Sequence, residues 1–189
     1  MMSEKERMLA GELYLASDPE LLAARLRARK LLQAYNASAP DEIDRRRALL
    51  SELLGRLDGR IEIEPPFFCD YGWNIKAGDN LYMNFGCIVL DCASVQIGAN
   101  VLFGPGVHIY AATHPTEPEV RRSGRELAAP VIIGDDVWIG GGVIICPGVT
   151  VGAGSTVAAG SVVTRDVPPH VIAAGNPCRV FRALGGTSV

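Results

Sequence analysis

Residues 131–163 read VIIGDDVWIGGGVIICPGVTVGAGSTVAAGSVV, and an aliphatic side chain returns at every sixth position: Ile133, Ile139, Ile145, Val151, Val157 and Val163. Four residues after each stands a second small or branched residue: Val137, Val143, Val149, Ser155, Ser161 and, just beyond the stretch, Val167. A period of six fits neither the helical turn nor the strand alternation, so the stretch is a structural repeat. Hexapeptide repeats predict a parallel β-helix, in which each hexapeptide forms one flat face and three close a triangular coil. Gly134, Gly140 and Gly152 directly follow three of the aliphatic positions and are expected to supply φ-positive corners between faces. An earlier block, Ile97, Phe103 and Ile109 with Val101, Val107 and Thr113, keeps the same period.

The rest of the composition suits that architecture. The 189 residues are enough for one domain with a small appendage. Apolar residues make up 48% but aromatics only 6%, which fits a solenoid filled with Val, Ile, Ala and Gly better than a core of large rings. A net charge of −3 offers no electrostatic reason to expect nucleic acid or an anionic membrane as partner. The apolar runs are too short to span a bilayer, and residues 1–10, with Glu4, Glu6 and Arg7, lack the apolar stretch of a secretory signal. Five cysteines without a C-x-x-C pair argue against a disulfide framework or a structural zinc site. Reduced thiols and a cytoplasmic location are the expectation.

Residues 1–59 read as a helical domain. Asp18-Pro19 predicts an N-cap and first helical position ahead of Leu21, Leu22, Leu26, Ala28, Leu31, Leu32 and Tyr35. Ile43, Leu49, Leu50, Leu53, Leu54 and Leu57 form a second amphipathic stripe that ends at Gly59. The arginines between them, Arg25 to Arg29 and Arg45 to Arg47, read as solvated faces. These helices are expected to cap the open first turn of the coil, since a solenoid end needs a cover. Residues 64–68 cross into the coil, which is expected over 60–175, with 176–189 as a tail.

The sixfold phase breaks between His114 and Pro130, where a charged insert spans about 115–130. Long excursions in compact domains are commonly functional. Of the three histidines, His114 stands at the mouth of the insert in Thr113-His114-Pro115, whereas His108 and His170 read as structural. A neutral imidazole is suited by its ordinary pKa to take a proton from a hydroxyl near pH 7. A zinc site of three histidines is disfavoured, because His108 and His114 fall on successive faces and no third partner is evident.

Several segments are narrower than the repeat. Residues 110–115 (YAATHP), 69–75 (CDYGWNI), 84–85 (NF), 137–141 (VWIGG), 163–168 (VTRDVP), 174–179 (AGNPCR) and 10–14 (AGELY) together resemble the maltose and galactoside O-acetyltransferases, hexapeptide-repeat acyltransferases. The resemblance covers nearly the whole chain and is nearest the maltose branch. It implies a left-handed coil, against the usual right-handed crossover. The insert that leaves the coil just after His114 can reach a neighbouring copy, and cyclic symmetry would repeat the site at each interface, so a homotrimer is expected. The resemblance implies acetyl transfer from acetyl-CoA to a sugar hydroxyl, with His114 as general base, Glu126 supporting it and the Gly141 N–H as oxyanion donor, with no metal required. Asp70, Asn84, Asp91 and Trp138 fall at positions beside the family's acceptor site. Gly141, Ala159, Thr164, Arg165, Arg179 and Arg182 fall near its cofactor. Asp70, Cys92 and Ala16 replace a serine and two aspartates of the galactoside branch, which points to a glucose- or maltose-like acceptor and its primary C6 hydroxyl. The repeat alone also permits a galactoside, amine or antibiotic acceptor, or a non-catalytic trimeric scaffold.

Overall fold

The computed structural model describes residues 2–185. Short strands wind into three flat faces, visited in the order first, second, third on every turn. The first face holds Arg56–Leu57, Ile75–Ala77, Val95–Ile97, Val131–Ile133 and Thr150–Val151. The second holds Ile61–Ile63, Leu81–Met83, Leu102–Phe103, Trp138–Ile139, Thr156–Val157 and Val171–Ala174. The third holds Phe68–Cys69, Ile88–Leu90, His108–Tyr110, Ile144–Ile145 and Val162–Val163. All these pairings are parallel, and Arg179–Ala183 then folds back antiparallel on Val171–Ala174. Coil pairing begins at Arg56, where Arg56 and Leu57 sit against Lys76 and Ala77.

All six aliphatic residues from Ile133 to Val163 are buried, as are their companions Val137 through Val167. The two polar companions are satisfied inside the coil. Ser155 donates to the Pro168 carbonyl and Ser161 to that of Ala158, while Val171 and Gly175 donate back to them. Thr113 departs from the period: it is exposed, because the chain has already left the coil there.

Gly134, Gly140 and Gly152 are not the φ-positive corners. A Cβ on any of them would lie 2.4–2.6 Å from backbone nitrogen of the next coil, so they are needed for close stacking. The left-handed corners are instead Gly142, Gly148, Gly154 and Gly160, together with Asn80, Asn100 and Asp136. Those last three stack between the first and second faces, Asn80 donating to Asn100 (3.1 Å) and Asn100 to Asp136 (3.0 Å).

Coil length changes along the axis. Strand partners are twenty residues apart early, as in Phe68 with Ile88 and Ile75 with Val95, and eighteen apart late, as in Ile133 with Val151. The two extra residues widen the corner between the third and first faces, where Asp70 and Asp91 lie.

The helices α1 (Glu4–Leu9), α2 (Pro19–Asn36) and α3 (Ile43–Leu53) precede the coil. Asp18 caps α2 by accepting from the Glu20 N–H (2.9 Å), with Pro19 at the first helical position. Leu21, Ala28, Leu32 and Tyr35 are buried, whereas Leu22, Leu26 and Ile43 are exposed. Asn36 fastens α2 to the coil, accepting from the Phe67 N–H and donating to its carbonyl, both at 2.9 Å. The Tyr35 hydroxyl donates to the Ile63 carbonyl. Arg46 is not merely solvated, since it donates to the Ser38 side chain at 2.8 Å. Among the described residues no helix is long and apolar enough to cross a membrane.

Candidate active site

The excursion leaves the coil at Ala111 and returns at Ala129, whose N–H donates to the Ala111 carbonyl (2.9 Å). Its two arms, Ala112–Thr113 and Arg125–Ala128, pair antiparallel with Ala112 opposite Ala128 and Thr113 opposite Leu127; a short helix α4 (Pro118–Arg122) forms the tip. His114 is the next residue beyond these pairs, so one further step of the register would set it opposite Glu126, where side chains share a face. The N-terminal strand Tyr14–Leu15 lies along the other side, with Tyr14 opposite Glu126. The Tyr14 hydroxyl donates to Glu126 Oε2 at 3.1 Å. Tyr14 and Glu126 therefore form a cross-strand pair, a buried phenol on a half-buried carboxylate, and the exposed His114 follows directly on the last paired residue of the facing arm.

The widened corner lies beside this pair. Asp91 is fully buried, and its carboxylate accepts from the backbone N–H groups of Asp70 (3.1 Å), Tyr71 (2.8 Å) and Asn74 (3.2 Å). It is spent on folding the corner that presents Asp70. Asp70 is half-buried, and Oδ2 accepts from the Cys92 thiol at 3.4 Å. Burial raises the Asp70 carboxyl above its usual range, opposed by the Cys92 thiol and the Arg25 guanidinium. Burial, then the Asp70 charge, pushes the Cys92 thiol far up, so it is no nucleophile. A cleft of about 380 Å³ opens beside Asp70, lined by Arg29, Leu32 and Gln33 of α2 and by Phe68 and Leu90 of the third face.

Burial pushes the Asp91 carboxyl up to about 6, against backbone N–H groups that favour its charge. The ordinary value is about 4, so the folded chain holds this proton more tightly than the unfolded chain. The stabilisation is full below pH ~4 and is lost as pH rises through about 6. Between those limits the melting temperature should fall more steeply in the native protein than in Asp91→Asn. Equal slopes would contradict the assignment.

Two residues at this corner are invisible to periodicity. Arg25, expected on a solvated face, turns in and donates to the Tyr71 hydroxyl (2.6 Å) and the Ala16 carbonyl. Tyr14 lies in a two-residue strand too short to register as a pattern. The Glu-Leu-Tyr segment marked the family, but no periodic signal tied its phenol to Glu126.

The other expected residues lie along the opposite edge of the third face, at the corner joining it to the second. Asn84, Gly141 and Ala159 lie on that corner, Gly141 and Ala159 on adjacent levels and Asn84 two levels before Gly141, with Arg179 at its late end. Arg182 follows on the returning strand. Trp138 projects from the second face between Leu102 and Thr156 and is 56% exposed. The Gly141 N–H meets no acceptor among the described residues, unlike those of Gly140 and Gly142, which donate to Val157 and Pro105. Five residue steps, from Gly106 to Ala111, separate the two corners, roughly 16 Å at strand rise. One chain therefore does not bring Gly141 to His114. Thr164 and Arg165 sit on the His114 edge and are exposed. His108 bonds to Tyr110 through Nδ1 (2.7 Å), and His170 covers Gly154, where an added Cβ would meet its ring at 2.5 Å.

Comparison with known proteins bears on this arrangement. The family model of the maltose acetyltransferase hexapeptide capping motif matches residues 7–59, and that of the bacterial transferase hexapeptide (six repeats) matches 130–165. Nodulation protein L of Rhizobium meliloti (strain 1021) is 51% identical over 178 residues, covering 94% of this chain and 97% of that protein. The crystal structure of a maltose O-acetyltransferase from Clostridium difficile 630 superposes with a TM-score of 0.96 at 46% identity, covering 97% and 98% of the two chains. A galactoside acetyltransferase in complex with coenzyme A superposes with a TM-score of 0.95 at 41% identity, covering 98% of this chain and 92% of that one.

Proposed function

Because this chain belongs to the maltose and galactoside O-acetyltransferases, acetyl-CoA-dependent enzymes built on a left-handed parallel β-helix, we propose that it acetylates the primary C6 hydroxyl of a glucose- or maltose-like sugar in the cytoplasm. The observation that supports this reading is the exposed His114 at the mouth of the excursion, one residue beyond the Thr113–Leu127 pair of the ribbon that carries Glu126. His114 takes the proton of the acceptor hydroxyl as its oxygen attacks the thioester carbonyl. Glu126 orients the ring and stabilises the imidazolium. The Gly141 N–H, with no acceptor of its own, receives the developing oxyanion. When the C–S bond breaks, His114 returns the proton to the CoA sulfur. Asp70 meets the acceptor from the widened corner, whereas Asp91 acts through it by fixing the turn.

Since His114 and Gly141 lie on opposite edges of one face, a complete site needs two copies, the His114 edge of one against the Gly141 edge of the next. Cyclic repetition of that contact gives a homotrimer. Asn84, Trp138, Ala159, Arg179 and Arg182 then join the site from the neighbour, and Thr164 and Arg165 from the chain that supplies His114. The late corner can hold a pantetheine arm close to backbone, because a Cβ added at Gly142 or Gly160 meets nothing within 4 Å.

Release of free CoA from acetyl-CoA, measured against glucose, maltose, galactosides and amines, tests the proposal. Turnover should be fastest with the glucose-type hydroxyl; an amine as best acceptor would overturn it. Cofactor affinity supplies a second test. Arg165, Arg179 and Arg182 are exposed and form no ion pair among the described residues, whereas Arg45 is held by Glu42 at 2.8 Å. A charge-assisted phosphate contact contributes about 1.5–3 kcal/mol, so Arg→Ala at each of the three late positions should weaken acetyl-CoA binding roughly ten- to a hundredfold by calorimetry. Arg45→Ala should bind normally. Equal affinity in all four variants would remove the arginines from the cofactor site.

A further inference from the structure

The N-terminal cap does more than close the coil. Its strand Tyr14–Leu15 is the outer member of the three-stranded sheet that carries the excursion, in register with Glu126 and Arg125. Glu4 of α1 adds a second tie, accepting from the Leu15 N–H (2.6 Å) and pairing with Arg125 (3.5 Å). Tyr14 has no exposed surface, yet its hydroxyl reaches the half-buried Glu126 Oε2 at 3.1 Å. On its other side the hydroxyl adjoins the Cys92 thiol, which donates to Asp70. A fully buried phenol whose oxygen ends on a carboxylate costs desolvation, which is repaid only when that bond forms.

We infer that Tyr14 is a positioning residue for acetyl transfer: its hydroxyl fixes one oxygen of Glu126, leaving the other directed at the His114 ring. The inference rests on the proposed role of Glu126. Burial, with Cys92 and Glu126 alongside, holds the phenol far above its ordinary titration range, so Tyr14 remains a proton donor throughout the working pH range. A carboxylate tied at one oxygen loses the freedom to swing away from the imidazole. Small displacements of an orienting group cost one to two orders of magnitude in rate.

Kinetics on Tyr14→Phe, Glu126→Gln and the double variant test this, after melting temperatures show that each is folded. Tyr14→Phe removes one oxygen and keeps the ring in its slot. It should lower kcat about ten- to a hundredfold while leaving the KM for acetyl-CoA unchanged. In the Glu126→Gln background the same substitution should cost little more, because the two residues act in series. Should Tyr14→Phe prove unstable, Tyr14→Trp keeps an aromatic donor near the carboxylate and should retain more turnover than Tyr14→Leu. Full activity of Tyr14→Phe beside an impaired Glu126→Gln would overturn the Tyr14 inference alone. So would multiplicative losses in the double variant, or Trp and Leu variants of equal activity. Full activity of Glu126→Gln would instead remove the proposed role of Glu126 itself.

Discussion

Replacing His114 with alanine is expected to lower acetyl transfer about a hundred- to ten-thousandfold, the usual worth of a positioned general base. The side chain is exposed and makes no hydrogen bond among the described residues, so its loss should leave the fold and the melting temperature unchanged. Acetyl-CoA affinity should also persist, since the proposed cofactor contacts come from backbone and arginines elsewhere. His108→Ala and His170→Ala serve as controls: one loses a bond to Tyr110 and the other a cover over Gly154, and neither reaches the excursion. Single-turnover rates with saturating acetyl-CoA read the effect directly. A folded His114→Ala variant with near-native turnover would sink the mechanism.

The second large effect is a loss that a partner repairs. Gly141→Pro deletes the proposed oxyanion N–H and should lower kcat about a hundred- to a thousandfold. Pro105 occupies the matching position one coil earlier, but an added Cβ at position 141 would meet it at 3.2 Å, so an unchanged melting temperature must accompany the kinetic loss. If each site joins the His114 edge of one chain to the Gly141 edge of the next, the two inactive variants complement each other. Random co-assembly of equal amounts makes one interface in four intact, so about a quarter of native activity should return. Mixing assembled variants without dissociation should restore nothing. Failure of co-assembled chains to regain activity would place the whole site within one chain, and sedimentation as a monomer would reject the trimer.

The coil was legible because its code is stacking volume. Ile133 to Val163 and their companions face a narrow interior that accepts small aliphatic side chains at one spacing. The early coils were harder to read, since two extra residues at the Asp70 and Asp91 corner shift the phase by twenty instead of eighteen. The glycines after the aliphatic residues were misread because two requirements, positive φ and close approach, select the same residue. His114 was visible as chemistry at a break in the pattern. The Tyr14 bond to Glu126 was not, because it joins positions 112 residues apart through a strand two residues long. Nor could spacing along one chain show that His114 and Gly141 sit on opposite edges of a face, which follows from which corner each level occupies.

The closure of the excursion at its neck, where Ala129 donates to Ala111 beside the Ala112–Ala128 pair, has an evolutionary consequence. Because the excursion departs and rejoins at one point, the coil above and below it would meet with little adjustment if the segment were excised. Lengthening it is also cheap, since each doubling of a flexible loop adds only about 0.6 kcal/mol of closure cost. Residues 115–129 can therefore drift in length and chemistry while the scaffold is inherited intact, and descendants can acquire a new acceptor or fall silent without ceasing to fold. Length changes should concentrate at the tip around α4, while Tyr14 and Glu126, which tie the segment to the cap, persist or change together.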